Sequence, residues 1–397
     1  MKKILLIIID GLGDRLIPQL GKRTPLEAAK KPNLNFLAEN GICGLVKPFL
    51  FSKEKEPSSE GTHLALFGYQ NYFLGRGPYE AAGIGIKMKK GDIILRANFG
   101  TVDENLRIID RRAGRIKKTQ PLVNALKGIK INEVKILVRK SWGHRAILIL
   151  RGEDLSSKIS DGDPHKVRVK PKKILPLDKS KKAKFTAEIL NQFLEKAHLI
   201  LKNHSFNKKR IKKGFLPGNY FLVRGAGKFK KIISFKKRYN LKAAFIAGGA
   251  LYKGVAKILG MNKVSVKEAT GFANTNLKGK ISAAKRVIKK YDFLFLHIKA
   301  TDIFAHDRDF QGKKKFIEKI DKELKPILKL KNVLITVTAD HSTCSLLKRH
   351  CKEPIPILIF GNGKDKVKEF SEKACKKGKL GRIKQIDLMK KLLLYSK

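Results

Sequence analysis

Three short apolar runs in this chain each deliver acidic or imidazole groups just past their C-terminal ends, and that repetition constrains the fold more than any other feature. Val333 to Val337 has the β-branched, apolar make-up of a strand buried on both faces, and it leads to Asp340 and His341. Ile4 to Ile9 runs into Asp10-Gly11-Leu12-Gly13-Asp14, a carboxylate followed by glycines that permit a sharp turn. Asp292 to His297 precedes Lys299-Ala300-Thr301-Asp302-Ile303-Phe304-Ala305-His306-Asp307, where Asp302 and His306, four apart, share one helical face. Open α/β sheets bind ligands outside the carboxyl ends of their strands, so the three tips are expected to meet at one edge of a parallel sheet. Carboxylate oxygen and neutral imidazole nitrogen suit zinc, manganese or a similar divalent ion. With His350 nine residues beyond His341, the set could hold two metal ions.

Composition narrows the class. A chain of 397 residues, 42% hydrophobic, has room for two or three domains and an ample core. No apolar run reaches the roughly 20 residues that a membrane helix requires, so no membrane association is expected. Met1-Lys2-Lys3 followed by only six apolar residues is too short for a signal peptide, and a cytoplasmic location is expected. Cys43, Cys344, Cys351 and Cys375 lack C-x-x-C spacing and are expected to be free thiols. The 88 Lys and Arg against 34 Asp and Glu give a net charge of +54, which would attract any polyanion. These residues are scattered in groups such as Lys172-Lys173, Lys208-Lys209 and Lys313-Lys314-Lys315, without a basic tail, a zinc-finger pattern or an aromatic stacking motif. That distribution predicts solvated faces and an anionic small substrate, with no specific nucleic-acid partner.

In chain order, Thr24-Pro25-Leu26-Glu27 has the signature of a capped helix start, and a second segment runs from Pro32 to about Glu39. Asn40-Gly41 closes it before a strand at Ile42 to Val46, which makes a β-α-β opening. A polar loop, Ser52 to Glu60, brings Ser58-Ser59-Glu60 to a short helix expected over Gly61 to Tyr69. A serine here is either an N-cap or a nucleophile whose developing charge the helix N–H groups would favour. Strand-like runs at Asp92 to Phe99, Glu133 to Arg139 and Arg145 to Arg151, and a helix over about Lys184 to Lys202, read as an inserted α/β domain. The return to the first domain is expected between Gly225 and Tyr239. A strand at Ala243 to Ala247, a tight turn at Gly248 to Gly254 leading into a helix, a strand at Ile355 to Phe360 and a helix at Asp387 to Leu394 complete the sheet and its covering layer.

Several segments taken together carry a resemblance. They are Asp10 to Asp14, Thr24 to Ala29, His63-Leu64-Ala65-Leu66-Phe67-Gly68-Tyr69, Gly75-Arg76-Gly77-Pro78-Tyr79-Glu80-Ala81, Asp110-Arg111-Arg112-Ala113-Gly114-Arg115, Lys299 to Asp302 with His306-Asp307, and Thr338-Ala339-Asp340-His341-Ser342-Thr343. In this order, over nearly the full chain, they resemble the archaeal-type cofactor-independent phosphoglycerate mutases of the alkaline phosphatase superfamily. The resemblance implies an α/β fold with an alkaline-phosphatase-like doubly wound core sheet and a smaller inserted α/β domain. The core would be a discontinuous metal-binding domain of residues 1–86 and 228–397, and the substrate-binding insert would be residues 87–227.

It also implies two divalent ions, manganese, zinc, cobalt or magnesium, one on Asp302, His306 and His350 and the other on Asp10, the nucleophilic serine, Asp340 and His341. The family's Pro-Gly-Ser-Asp-x-x-His-Leu pattern aligns its nucleophile with Ser59, although Ser58 stands in place of the glycine and Glu60 in place of the aspartate. The implied reaction interconverts 3-phosphoglycerate and 2-phosphoglycerate through a phosphoserine, in glycolysis and gluconeogenesis, without 2,3-bisphosphoglycerate. Arg111, Arg112 and Arg115 are expected as substrate clamps, because guanidinium forks match carboxylates. His144, Asp161 and Asp163 are expected beside them, and Lys253 resembles a position near the phosphate. The alternative is a metal-dependent phosphatase or phosphopentomutase-like enzyme of the same superfamily.

Overall fold

A computed structural model describes residues 1–51 and 55–397; the start of the polar loop expected from Ser52 falls on residues 52–54 and lies outside the described residues. The chain divides into two units, Met1–Phe73 with Ile232–Lys397, and Leu74–Lys231.

The first unit is built on an eight-stranded sheet. Its spatial order is Asn262–Lys263, Ala243–Ile246, Phe293–Ile298, Lys3–Ile9, Val333–Thr338, Ile355–Phe360, Gly41–Lys47 and Gly381–Lys384. The central strands are buried along their length, as their continuous apolar runs require. Lys3–Ile9 pairs in parallel with Phe293–Ile298 on one side and Val333–Thr338 on the other. Ile9 lies opposite Ile298 and Ile8 opposite Thr338, so the three strands end level with one another. The capped start at Thr24 forms as its residues direct: the Thr24 side chain accepts from the Glu27 N–H, and Glu27 accepts from the Thr24 N–H.

One feature of this unit was left open by the sequence reading, and another departs from it. Ile355–Phe360 runs antiparallel to both its neighbours. A parallel return would need a crossover of a dozen or more residues, usually a helix. The chain between Thr338 and Ile355 is instead spent on Asp340, His341 and a small hairpin of Ser342–Cys344 with Arg349–Cys351. That hairpin also overturns the expectation of four free thiols: Cys344 and Cys351, seven apart, are joined in a disulfide with Cα atoms 6.0 Å apart. Folding back across the hairpin brings together two cysteines whose spacing matches no local motif. Cys43 and Cys375 are buried free thiols.

The second unit holds an antiparallel sheet in the order Ile108–Asp110, Ile93–Val102, Arg145–Arg151, Val134–Lys140 and Lys130–Ile131, with Tyr220–Lys228 also paired to Ile93–Val102. The helix Lys181–Asn203 starts where the Ser180 side chain accepts from the Ala183 N–H, and it buries Ile189, Leu190, Phe193, Leu194 and Leu201 in the core over the sheet. Tyr220–Lys228 was not expected, since Gly225-Ala226-Gly227 reads as a turn. The glycines serve close approach instead, a Cβ on Gly227 falling 1.9 Å from the Leu74 carbonyl oxygen. For the same reason the unit begins earlier than residue 87. The helix Arg76–Gly83 packs on Ile93–Val102 and Tyr220–Lys228, with Gly77 so near Ile94 that a Cβ would lie 2.1 Å from its carbonyl oxygen. Among the described residues, no helix is long and apolar enough to cross a membrane.

Candidate metal centre

Because the three central strands end level, the residues just past their tips are neighbours. Asp10 follows Ile9, Asp340 and His341 follow the strand Val333–Thr338, and Phe293–Ile298 leads through Lys299 into the helix Ala300–His306, which carries Asp302 and His306 one turn apart. His350 arrives from the hairpin strand Arg349–Cys351. Two groups of ligand atoms result, each within 4.8 Å of one another: Asp10, Asp340 and His341, all buried, and Asp302, His306 and His350, of graded exposure.

In the second group, the Nε2 atoms of His306 and His350 both lie 3.4 Å from the Asp302 Oδ1. The other ring nitrogens are spent on backbone: His306 Nδ1 donates to the Lys348 carbonyl at 2.8 Å and His350 Nδ1 to the Pro57 carbonyl at 2.7 Å. A ring that donates through Nδ1 keeps the Nε2 lone pair free, which is the tautomer a metal requires. In the first group, His341 Nε2 lies 3.1 Å from Asp340 Oδ2 and 3.8 Å from Asp10 Oδ1. The His341 and His350 rings stack with centroids 3.7 Å apart, which joins the two groups.

Ser59 opens the helix Ser59–Leu66, and its Oγ sits 3.3 Å from His341 Nε2. Ser58 occupies the N-cap position, but its side chain makes no cap bond. Glu60 is buried in the first turn. The local sequence left cap and nucleophile open; tertiary structure brings the Ser59 hydroxyl to the ligand cluster.

Lys299 is a central group that sequence reading missed. Its ammonium lies 3.2 Å from Asp10 Oδ1 and 2.5 Å from Asp302 Oδ2. Its signal was its place in the turn before Asp302. Burial alone would raise both carboxyls, but Lys299 acting together with neighbouring imidazoles, His297 beside Asp10 and His306 and His350 beside Asp302, holds both below the usual range. Asp340 goes the other way, raised well above that range by burial and by the charge of Asp10. Burial and the neighbouring His350 push His341 well below the ordinary histidine value. His297, the inward residue near the end of its strand, was also missed: its Nε2 donates to Asp10 Oδ2 at 3.0 Å, and its ring stacks on Tyr252 at 3.7 Å.

These residues fit divalent cations. Three buried carboxylates face one ammonium, Asp340 Oδ2 is buried with no hydrogen-bond partner among the described residues, and the Nε2 lone pairs of His306 and His350 are aimed at the Asp302 carboxylate. Negative charge of that density is costly to bury without a cation.

The expected substrate residues are placed unevenly. Arg111 donates twice to Asp163, at 2.9 and 2.7 Å, and Arg224 lies 3.9 Å from the same carboxylate. Asp161 accepts from the Gly225 N–H. Arg112 and Arg115 sit on the turn whose N–H groups Asp110 receives, at Arg112 and Gly114. His144 is buried, and burial, then Arg145, brings it down to about 4. Lys253 belongs to the first unit, on the helix Ala250–Ile258, which starts inside the expected turn; burial, then Lys263 and Lys257, lowers its pKa. Sequence reading overlooked a second cationic cluster in the Leu74–Lys231 unit, where Glu80 accepts from Arg76 at 2.8 Å and Arg96 at 3.1 Å.

Comparison with known proteins agrees with this geometry. The model of the metalloenzyme superfamily matches residues 2–394. The chain is 46% identical over 397 residues to the 2,3-bisphosphoglycerate-independent phosphoglycerate mutase 1 of Archaeoglobus fulgidus, covering 97% of this chain and 96% of the relative. It is 45% identical over 400 residues to the protein of that name from Methanocaldococcus jannaschii, covering 98% and 96%. Among solved structures, the cofactor-independent phosphoglycerate mutase from Thermoplasma acidophilum is 37% identical with a TM-score of 0.72, covering all of both chains. Full-length similarity of this kind, together with two ligand groups at level strand ends, establishes that the chain belongs to the archaeal-type 2,3-bisphosphoglycerate-independent phosphoglycerate mutases of the metalloenzyme superfamily.

Proposed function

We propose that the chain interconverts 3-phosphoglycerate and 2-phosphoglycerate in the cytoplasm through a phosphoserine on Ser59, without 2,3-bisphosphoglycerate. The carrying observation is the Ser59 hydroxyl 3.3 Å from His341 Nε2, beside the Asp10, Asp340 and His341 ligand atoms. Asp10, Ser59, Asp340 and His341 would hold one divalent ion, and Asp302, His306 and His350 the other. Bound there, the ions would favour the serine alkoxide and neutralise charge on the transferred phosphoryl group.

Ser59 Oγ gives up its proton as its bond to phosphorus forms, and as the bond from phosphorus to the substrate oxygen breaks that oxygen takes up a proton and leaves as the hydroxyl of glycerate. The second half reverses this at the other glycerate hydroxyl, returning Ser59 to its starting state. Lys299, between Asp10 and Asp302, offers an ammonium to the phosphoryl oxygens in both halves. Arg111, Arg112, Arg115, His144, Asp161, Asp163 and Lys253 are proposed to hold the carboxylate, hydroxyls and phosphate, with Arg111 pre-oriented by its two bonds to Asp163. Water must be kept from the phosphoserine, or the same constellation acts as a phosphatase.

The test is a coupled assay of 2-phosphoglycerate formation by chelator-treated protein resupplied with manganese, with phosphate release followed in parallel. Metal-dependent isomerisation with little phosphate is expected, lost by about 10^4-fold or more in Ser59→Ala and retained in Ser58→Ala. Phosphate release without isomerisation would overturn the mutase reading.

A further inference from the structure

Thr343 is fully buried at the junction of the two ligand groups. Its hydroxyl lies 2.7 Å from Asp302 Oδ1 and 3.2 Å from His341 Nδ1. Across the hairpin it pairs with His350. One side chain therefore touches a ligand of each group, and its backbone partner is a third ligand.

Counting donors and acceptors sets the direction of these bonds. Where Nε2 of a neutral His341 binds a metal, as the two-metal reading requires, its proton sits on Nδ1, and Nδ1–H donates to the Thr343 oxygen. The hydroxyl has a single hydrogen, and it then points to Asp302 Oδ1. With Nε2 given to a metal, the chain runs from His341 Nδ1–H to Thr343 Oγ1–H to Asp302 Oδ1. It locks the His341 tautomer and orients the Asp302 carboxylate by the same atom.

The surroundings hold that hydroxyl in place. The Thr343 N–H donates to the Gly13 carbonyl at 3.0 Å, and its carbonyl accepts from the buried Lys313 ammonium at 3.0 Å. Lys313 also holds the Gly13 carbonyl and the Asp14 carboxylate. Gly11, at φ +64°, leaves the space, since a Cβ there would lie 2.5 Å from the Thr343 oxygen.

We infer that Thr343 is a positioning residue that couples the two metal groups, its hydroxyl fixing a ligand of each. This rests on the two-metal reading above. The expected consequence is that both ions lose affinity together when the hydroxyl alone is removed. Partners that orient metal ligands commonly contribute about 10–100-fold to affinity or activity.

The experiment titrates manganese into chelator-treated full-length protein by calorimetry, in wild type, Thr343→Val and Thr343→Ser. Valine keeps the shape and removes the hydroxyl; serine restores the hydroxyl without the methyl. Wild type is expected to bind two ions, Thr343→Val to bind both about 10–100-fold more weakly, and Thr343→Ser to stay within a few-fold of wild type. Thr343→Val binding both ions as wild type does, losing only one of them, or being matched by Thr343→Ser would overturn the coupling role. Wild type binding fewer than two ions would instead sink the two-metal reading, and this inference with it. Thermal melting of each metal-free variant separates general loss of fold, which serine would not rescue selectively.

Discussion

The two ligand groups use the same residue types, but the chain holds them differently. Asp10, Asp340 and His341 ride on the ends of adjacent parallel strands and are wholly buried, so a strand ladder on each side fixes them. Asp302, His306 and His350 come from one helical turn and a small hairpin closed by a disulfide, and the His306 side chain is 40% exposed. In the first group every ligand is shut off from solvent; in the second the Asp302 carboxylate is just as buried, and only the His306 and His350 imidazoles reach water. Rigidity and burial should therefore produce one tight site and one labile site.

The sharpest way to break that contrast is to remove one imidazole from each. His341→Ala is expected to cost more than about 100-fold in manganese affinity at its site, and His306→Ala about tenfold, read by titration of chelator-treated protein. Equal losses would mean that burial does not set the difference.

A smaller effect should separate the groups by their covalent supports. Reduction of Cys344–Cys351 by a dithiol, or the Cys344→Ser, Cys351→Ser double variant, frees the strand that carries His350 while leaving the parallel strand ends paired. For a loop this short the expected loss of stability is about 2 kcal/mol, seen as a lowered melting temperature. Manganese affinity is expected to fall a few-fold in the half-exposed group only. Loss in the buried group would show that the hairpin holds both.

The smallest predicted effect supplies a baseline for acid sensitivity. His144 lies outside both groups and is lowered to about 4 by burial and then by Arg145. The unfolded chain takes up its proton near 6.5 while the folded chain does not, so stability is full above that value and is lost as pH falls from about 6.5 toward 4. His144→Gln should flatten the acid limb of a stability-against-pH curve by on the order of 1 kcal/mol. An unchanged limb would assign all of the acid lability to other groups, including the ligand histidines.

Much of the scaffold was legible because its signals are local. The capping residues at Thr24 and Glu27, the continuous apolar runs of the central strands and the four-residue spacing of Asp302 and His306 each reflect a short-range rule of backbone geometry. The strand Tyr220–Lys228 was hidden because its glycines answer to chain neighbours more than a hundred residues away, at Leu74 and Ile93–Val102. Lys299, His297 and Thr343 were passed over for a related reason: a lysine, a histidine and a threonine carry no distinctive local pattern, and their importance comes from what they touch.

The sequence by itself determined the central strands of the first unit and the carboxylates just past them, because hydrogen-bond periodicity and burial of apolar side chains act within a few residues. Tertiary structure alone decided that Ile355–Phe360 runs antiparallel beside the central strands, that Cys344 meets Cys351 and that one hydroxyl bridges two ligand groups. Those outcomes depend on distances between residues far apart in the chain, which strand pairing and core packing set.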